Sequence, residues 1–162
     1  MTQSEYELRV AALKARYAFL FSGKNIGHDI LPGWIAIIEE LCARIDETLT
    51  AAEKPTVHFL QIKDKMGGLR TYLNIAPLRI DIMGNGGRYV SGYLRKEEPP
   101  GIFARIGPFI SAAEAKSFQT CCFCGAPGKL RDSDFWLLTL CDKHEPFSYR
   151  DLRDRFDELT VP

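Results

Sequence analysis

Four side chains of this chain have the type and spacing to hold a metal ion. Cys121 and Cys124 form a Cys-x-x-Cys pair, and after sixteen intervening residues Cys141 and His144 form a Cys-x-x-His pair. Thiolates and an imidazole nitrogen are the ligands zinc takes tetrahedrally, and a two-residue spacer lets one turn present both members of a pair to one ion. Four protein ligands leave no position for water, so the expected role of the zinc is structural. Cys122 in place of Cys121 would give a Cys-x-Cys spacing, so Cys121 is the preferred ligand and Cys122 is read as a free thiol beside it. Two redox cysteine pairs are the competing reading. Deaminase-type zinc chemistry is disfavoured, because no His-x-Glu precedes a Pro-Cys-x-x-Cys.

No catalytic residue is assigned elsewhere. His58 alternates with Leu60 along an apparent strand and reads as a packed or half-exposed histidine. His28 neighbours Asp29, but adjacent residues seldom face each other and no nucleophile is evident. Gly23-Lys24 lacks the spaced glycine of a phosphate-binding loop. A candidate binding surface is clearer. Lys63, Lys65 and Arg70 place three positive charges at a tight hairpin, with Tyr72 on the returning strand, and Arg88 and Arg95 extend the basic stretch. Arginine offers a fork for carboxylate or phosphate and tyrosine offers a stacking face. The same charges on a solvated hairpin edge would also explain the pattern.

The elements that must position these groups follow from periodicity. Ser4 to Phe21 reads as a helix capped by Ser4, with Tyr6, Val10, Leu13, Tyr17 and Leu20 on one stripe. A second helix runs from about Pro32 to Leu49, with Trp34, Ile38, Leu41 and Ile45 expected to pack on Phe59, Leu69 and Leu73; Cys42 beside that stripe is read as a small buried apolar residue. Val57 to Ile62 alternates, with Val57, Phe59 and Gln61 on one face and His58, Leu60 and Ile62 on the other. Lys65-Met66-Gly67-Gly68 is a turn, and Leu69 to Ile75 returns antiparallel. Ile80 to Met83 and Arg88 to Leu94 read as a second hairpin or, given four glycines between Gly84 and Gly92, a flexible insertion. Ile102 to Thr120 is helical, with an interruption near Gly107-Pro108 and a fresh cap at Ser111. Lys129 to Arg131 and Phe135 to Leu140 are short strands around the turn Asp132-Ser133-Asp134, and Tyr149 to Leu159 is a short docked helix. The expected fold is α+β: residues 1–100 form a core of two helices and β-hairpins, and residues 101–162 form a helix, a zinc-ribbon or treble-clef-like module and a C-terminal helix.

Composition narrows the class. The 162 residues carry 21 basic and 21 acidic side chains. The distribution is uneven: six basic to eight acidic over 1–60, seven to two over 61–96, and eight to eleven over 97–162. A uniformly basic nucleic-acid binder is thereby disfavoured. No apolar run of membrane-spanning length is present, and the first twenty residues are amphipathic, so the expected compartment is a reducing cytoplasm where cysteines serve as metal ligands.

Several of these residues together carry a resemblance. Gly33-Trp34 opening a helix, Lys63-x-Lys65-x-Gly67-Gly68-Leu69-Arg70-x-Tyr72, Ala113-Glu114 and Ser117, then Cys121-x-x-Cys124-Gly125-x-Pro127-Gly128, Trp136 and Cys141-Asp142-x-His144 resemble a group of small proteins of bacterial and prophage genomes. It covers roughly Trp34 to His144 apart from Ile80 to Pro100, with Met66 standing where an aromatic residue would be expected. The resemblance implies a shared fold with a zinc knuckle; it implies no activity. A mobile-element origin would favour an accessory or host-interaction role. Three functions are therefore carried forward. The leading one is a non-enzymatic binding protein with a protein partner, such as an inhibitor of a host complex. The second is a nucleic-acid-binding or transcription-associated module using the basic hairpin. The third is an enzyme whose site spacing alone does not reveal.

Overall fold

The computed structural model describes residues 1–23, 26–75, 101–133 and 136–159. It is an α+β arrangement in which helices pack on a three-stranded sheet, with a separate two-stranded ribbon near the C-terminus.

Helix α1 spans Gln3–Arg16 and is capped by Thr2, not Ser4. Thr2 accepts from the Glu5 amide and the Glu5 carboxylate accepts from the Thr2 amide at 2.7 Å, a reciprocal capping box that Ser4, three residues before Glu7, does not form. The helix ends at Arg16, but its apolar stripe continues through the following turn, where Tyr17 and Leu20 are buried. The Leu20 carbonyl then accepts from the Phe59 amide at 2.7 Å, fastening this turn to the sheet.

Strand β1 (Gly27–Asp29) runs parallel to β2 (Val57–Lys65), and β3 (Gly68–Ile75) returns antiparallel to β2. The alternation expected along β2 fails after Phe59. A bulge between Phe59 and Gln61 shifts the register, so Ile62 joins Val57 and Phe59 in the core while Gln61 stays half-buried. The β2–β3 turn has Met66 and Gly67 as its two central residues, at φ 57° and 74°. Positive φ at both positions marks a type I′ turn, whose twist suits a two-residue hairpin.

A 3-10 turn at Pro32–Trp34 leads into α2 (Ile35–Thr48), which buries Ile35, Ile37, Ile38, Leu41, Cys42 and Ile45. Cys42 is fully buried, as a small apolar residue would be. Helix α3 (Ile102–Ser117) runs without interruption through Gly107-Pro108, and no new helix starts at Ser111. Proline inside a helix costs roughly 3 kcal/mol through a lost hydrogen bond and a ring clash. Packing of α3 on α2 and β3, with Ile106 and Ala113 buried, holds the helix together across it. Glu114, three residues after Ser111, forms an ion pair with Arg70 on β3.

The ribbon pairs β4 (Lys129–Ser133) with β5 (Trp136–Leu140), and pairing extends to Ser133↔Trp136, past the expected turn start at Asp132. Two short helices follow, α4 (Tyr149–Asp154) and α5 (Phe156–Leu159). One continuous apolar core draws on all these parts, from Leu13 and Trp34 to Leu138 and Phe156. The expected hairpin of Ile80 to Leu94, with Arg88 and Arg95, lies outside the described residues. No helix among the described residues is long and apolar enough to cross a membrane.

Candidate metal centre

The two ligand pairs converge. One ligand atom from each of Cys121, Cys124, Cys141 and His144 lies within 4.8 Å of all the others. Cys124 Sγ and Cys141 Sγ are 3.7 Å apart, and His144 Nδ1 is 3.2 Å from Cys141 Sγ and 3.8 Å from Cys121 Sγ. A tetrahedron with metal–sulfur bonds of about 2.3 Å has edges of about 3.8 Å; the three named separations lie near that value, and the whole set, within 4.8 Å, could hold one ion. The His144 nitrogen that faces the sulfurs is Nδ1. His144 Nε2 is buried and has no hydrogen-bond partner among the described residues.

Local sequence builds each half. After Cys124, Gly125 adopts φ 79°, and its amide donates to the Cys121 carbonyl at 2.9 Å; the Cys121 amide donates to the Ala126 carbonyl at 2.7 Å. The chain thus doubles back beneath the ligands. In the second half, the amides of His144 and Glu145 both donate to the Cys141 carbonyl at 3.0 Å, a single tight turn. Arg131 on β4 clamps it through ion pairs to Asp142 and Glu145. The His144 ring sits 4.8 Å from that of Phe123, which meets Phe156 edge-on at 5.3 Å.

Charge at the cluster follows from burial. Burial pushes the Cys124 thiol up to about 12, with neighbouring thiols adding to the shift and the Ala126 amide opposing it. Burial also acts against the Cys141 thiolate, but the His144 amide, the neighbouring thiols and the Lys143 amide together bring its pKa below the ordinary thiol value. Several thiolates this close repel one another; a divalent cation among them reverses the sign and favours their ionisation. Cys122 is set apart. It is fully buried, its thiol pKa is raised by burial, and its backbone is committed elsewhere.

That backbone commitment explains much of the remaining sequence pattern. The Cys122 carbonyl accepts from the Gly33 amide at 2.7 Å, and Trp34 Nε1 donates to the Thr120 carbonyl at 2.8 Å. A Cβ at Gly33 would lie 2.2 Å from the Cys121 carbonyl oxygen, so only glycine admits this contact. The hairpin tip docks from the other side. Thr139 Oγ1 donates to the Gly67 carbonyl at 2.6 Å, and a Cβ at Gly68 would lie 2.3 Å from the Phe118 ring. The Leu69 amide donates to Ser117 Oγ at 2.8 Å, which in turn donates to the Glu114 carbonyl at 2.6 Å.

No known protein family, curated protein or solved structure matches this chain. The reading of its site therefore rests on its own residues.

The basic hairpin is arranged differently from a free cationic surface. Lys63 Nζ sits over the Tyr72 ring at 5.2 Å, and Arg70 is both paired with Glu114 and placed over Phe118 at 5.6 Å. Lys65 is exposed at the tip beside Met66. His58 is half-buried against Gly23.

Sequence reasoning passed over one further grouping. A cleft of about 780 Å³ opens between α1, β1 and the C-terminal helices, with Tyr6, His28, Asp29, Tyr149 and Arg153 on its walls. The Tyr6 hydroxyl donates to the Ile30 carbonyl at 3.2 Å and lies 3.2 Å from His28 Nε2. Burial, with Lys14 nearby, lowers the His28 pKa to about 4, so the ring is neutral near pH 7. Strand β1, only three residues long and flanked by no alternating run, left no periodic signal by which this cleft could have been found.

Proposed function

We propose that the chain is a zinc-stapled, non-enzymatic binding protein whose partner is another protein. The observation that carries the zinc assignment is the set of four ligand atoms within 4.8 Å, three of them thiol sulfurs. Soft thiolates with one imidazole in a tetrahedral cage suit zinc among the common metals. All four positions are taken by protein, which favours a structural ion. With two Cys/His turns and a short β-ribbon between them, the module has the layout of a zinc ribbon or treble clef. When bound, the ion supplies cross-linking of the Cys121–Cys124 and Cys141–His144 turns. The chain's own residues then seat those turns on Gly33, Trp34 and the hairpin tip.

The protein-partner reading is supported by what remains outside. Lys63 and Arg70 are occupied by intramolecular contacts, which leaves the hairpin poorly equipped to neutralise phosphates. Met66, Leu130 and Trp136 are large apolar side chains at 63%, 49% and 59% exposure. Aromatic residues and methionine are enriched at protein interfaces. A chain of this kind carried in a bacterial or prophage genome fits an accessory protein acting in the cytoplasm on a host complex.

Metal analysis of purified protein tests the first half: one zinc per chain is expected, and cobalt substitution should give the absorption of a tetrahedral thiolate site. Titration against mixed DNA and RNA over a salt series tests the second. No binding is expected at low salt; binding that falls steeply with salt and is lost in a Lys63/Lys65/Arg70 triple alanine variant would replace the protein-partner reading with the nucleic-acid one.

A further inference from the structure

Tyr149 and Arg153 on the wall of the cleft between α1 and the C-terminal helices belong to a stack that runs outward from it. Trp136, exposed on β5, lies nearly parallel to Tyr149 at 5.5 Å and 19°. Arg153 covers the Tyr149 ring at 5.7 Å, and its guanidinium reaches Asp29 at 3.4 Å. Trp136, Tyr149, Arg153 and Asp29 therefore form a ladder in which a guanidinium is held between an aromatic face and a carboxylate. Among the described residues Trp136 has no cation over its ring, although tryptophan is the strongest aromatic acceptor of one.

The cleft beneath is acidic. Five carboxylates and three basic side chains line it, and His28 adds no charge near pH 7. Arg153 pairs with Asp29 and Arg155 with Glu158, so each pair cancels and the cleft keeps an excess of two carboxylates, five against three. Asp154 makes no ion pair among the described residues; it is exposed, follows Arg153 on α4 and lines the cleft. A volume of about 780 Å³ is enough to admit a short extended segment.

We propose that this face is the partner-docking surface, and that its occupant is a basic segment of a partner protein with an arginine seated on Trp136 and facing Asp154. The proposal rests on the protein-partner reading and adds to it the place and the chemistry. Arginine is favoured over lysine because a planar guanidinium both stacks on the indole and forks to a carboxylate. The chain's own Arg153 sits over the Tyr149 ring and reaches Asp29 through one nitrogen at 3.4 Å, a smaller version of the same pairing.

Fluorescence titration of the full, zinc-loaded chain provides the test, since the protein has two tryptophans and Trp34 is fully buried. The probes are poly-arginine, poly-lysine and poly-glutamate peptides. Poly-arginine should quench the exposed tryptophan and bind several-fold more tightly than poly-lysine, with no response to poly-glutamate. Trp136→Ala, followed by anisotropy of labelled peptide, should weaken poly-arginine binding about tenfold or more, and Asp154→Lys should weaken it with zinc content and the Trp34 signal unchanged. Equal binding of poly-arginine and poly-lysine, binding that persists in Trp136→Ala, preference for poly-glutamate, or no binding would each overturn the proposal. Its failure is separable from failure of the broader reading. A cellular protein retained equally by wild type and Trp136→Ala leaves a protein partner in place and removes this surface, whereas no retained protein in either removes both.

Discussion

The two faces on which the C-terminal third meets the rest of the chain are built to different tolerances. On the metal side, contact is close and runs through the backbone and through buried, hydrogen-bonded side chains. Gly33 lets its main chain approach that of Cys121 and Cys122 where any Cβ would collide, Gly68 admits the Phe118 ring, and buried hydroxyls of Ser117 and Thr139 satisfy the Leu69 amide and the Gly67 carbonyl. On the cleft side, contact is through long side chains: Arg153 and Tyr149 each reach Asp29 at 3.4 Å, and His28 Nδ1 is buried without a partner among the described residues. Close-packed interfaces resist any added atom, whereas side-chain contacts at a wet rim can be remade. The metal side is built as an anchor, and the cleft side is free to adapt to something else.

The contrast breaks most completely by removing the ion. Chelation, or Cys141→Ser, should unfold the 121–144 module, because structural zinc contributes on the order of 10 kcal/mol to such folds. Loss of protease resistance and of near-ultraviolet dichroism would report it; an unchanged melting curve after verified metal removal would show that glycine packing alone suffices. Gly33→Ala comes next. Its Cβ would meet a backbone carbonyl that belongs to the ligand turn and has no rotamer to adopt, so a loss of about 3 kcal/mol or more is expected in denaturant midpoint, accompanied by weaker metal retention. Ser117→Ala should cost about 1–3 kcal/mol, since it leaves the Leu69 amide buried without an acceptor.

These same positions show how far the sequence was legible. The cluster of Cys121, Cys124, Cys141 and His144 was legible because two-residue spacers are a local property of turns. The helical stripes of α1 and α2 were legible for the same reason: periodicity encodes which face is buried. What periodicity does not carry is a break in its own phase. The bulge after Phe59 moved Ile62 to the core and Gln61 out of it, and no residue type at that point announces the extra residue. The hairpin glycines were visible as a turn, but the close approach of Gly68 to Phe118, fifty residues away, is a tertiary contact with no local trace. Proline at 108 misled for the opposite reason: the local signal was real, and packing of α3 against α2 overrode it. Charge counting promoted the basic hairpin without seeing that Glu114 and the Phe118 and Tyr72 rings already occupy two of its three cations, Arg70 and Lys63.

Acidity sharpens the comparison, because each face holds one strained group of opposite sign. Burial raises Asp64, beside the hairpin turn, to about 6, with Asp29 adding to the shift and the Gly67 amide opposing it. A carboxyl raised in the fold favours folding below its unfolded pKa, and that contribution is lost as pH rises through 6. His28 on the cleft side is lowered to about 4, so its contribution is present above 6.5 and is lost as pH falls through 4. Between pH 4 and 6.5 the two oppose each other. Asp64→Asn should therefore stabilise the protein at pH 7 by about 1–2 kcal/mol, an advantage that shrinks towards pH 4. His28→Gln should flatten the acid limb relative to wild type. Comparing each variant with wild type at the same pH and zinc concentration removes the common effect of protons on the metal ligands.

The smallest effect is expected at Arg153. Its side chain is 56% exposed and Asp29 is 65% exposed, so their ion pair is screened and holds two flexible groups. Arg153→Ala should change the urea midpoint by no more than about 0.5 kcal/mol in stability. A loss above about 1 kcal/mol would mean that the C-terminal helices are clamped on the cleft side as firmly as the ligand turns are on the other. The contrast between anchor and adaptable face would then fail, even with the metal centre intact. A null result at Arg153 beside a large loss at Gly33 is the pattern expected of a chain that fixes one side of its C-terminal third and leaves the other free to rearrange around an incoming segment.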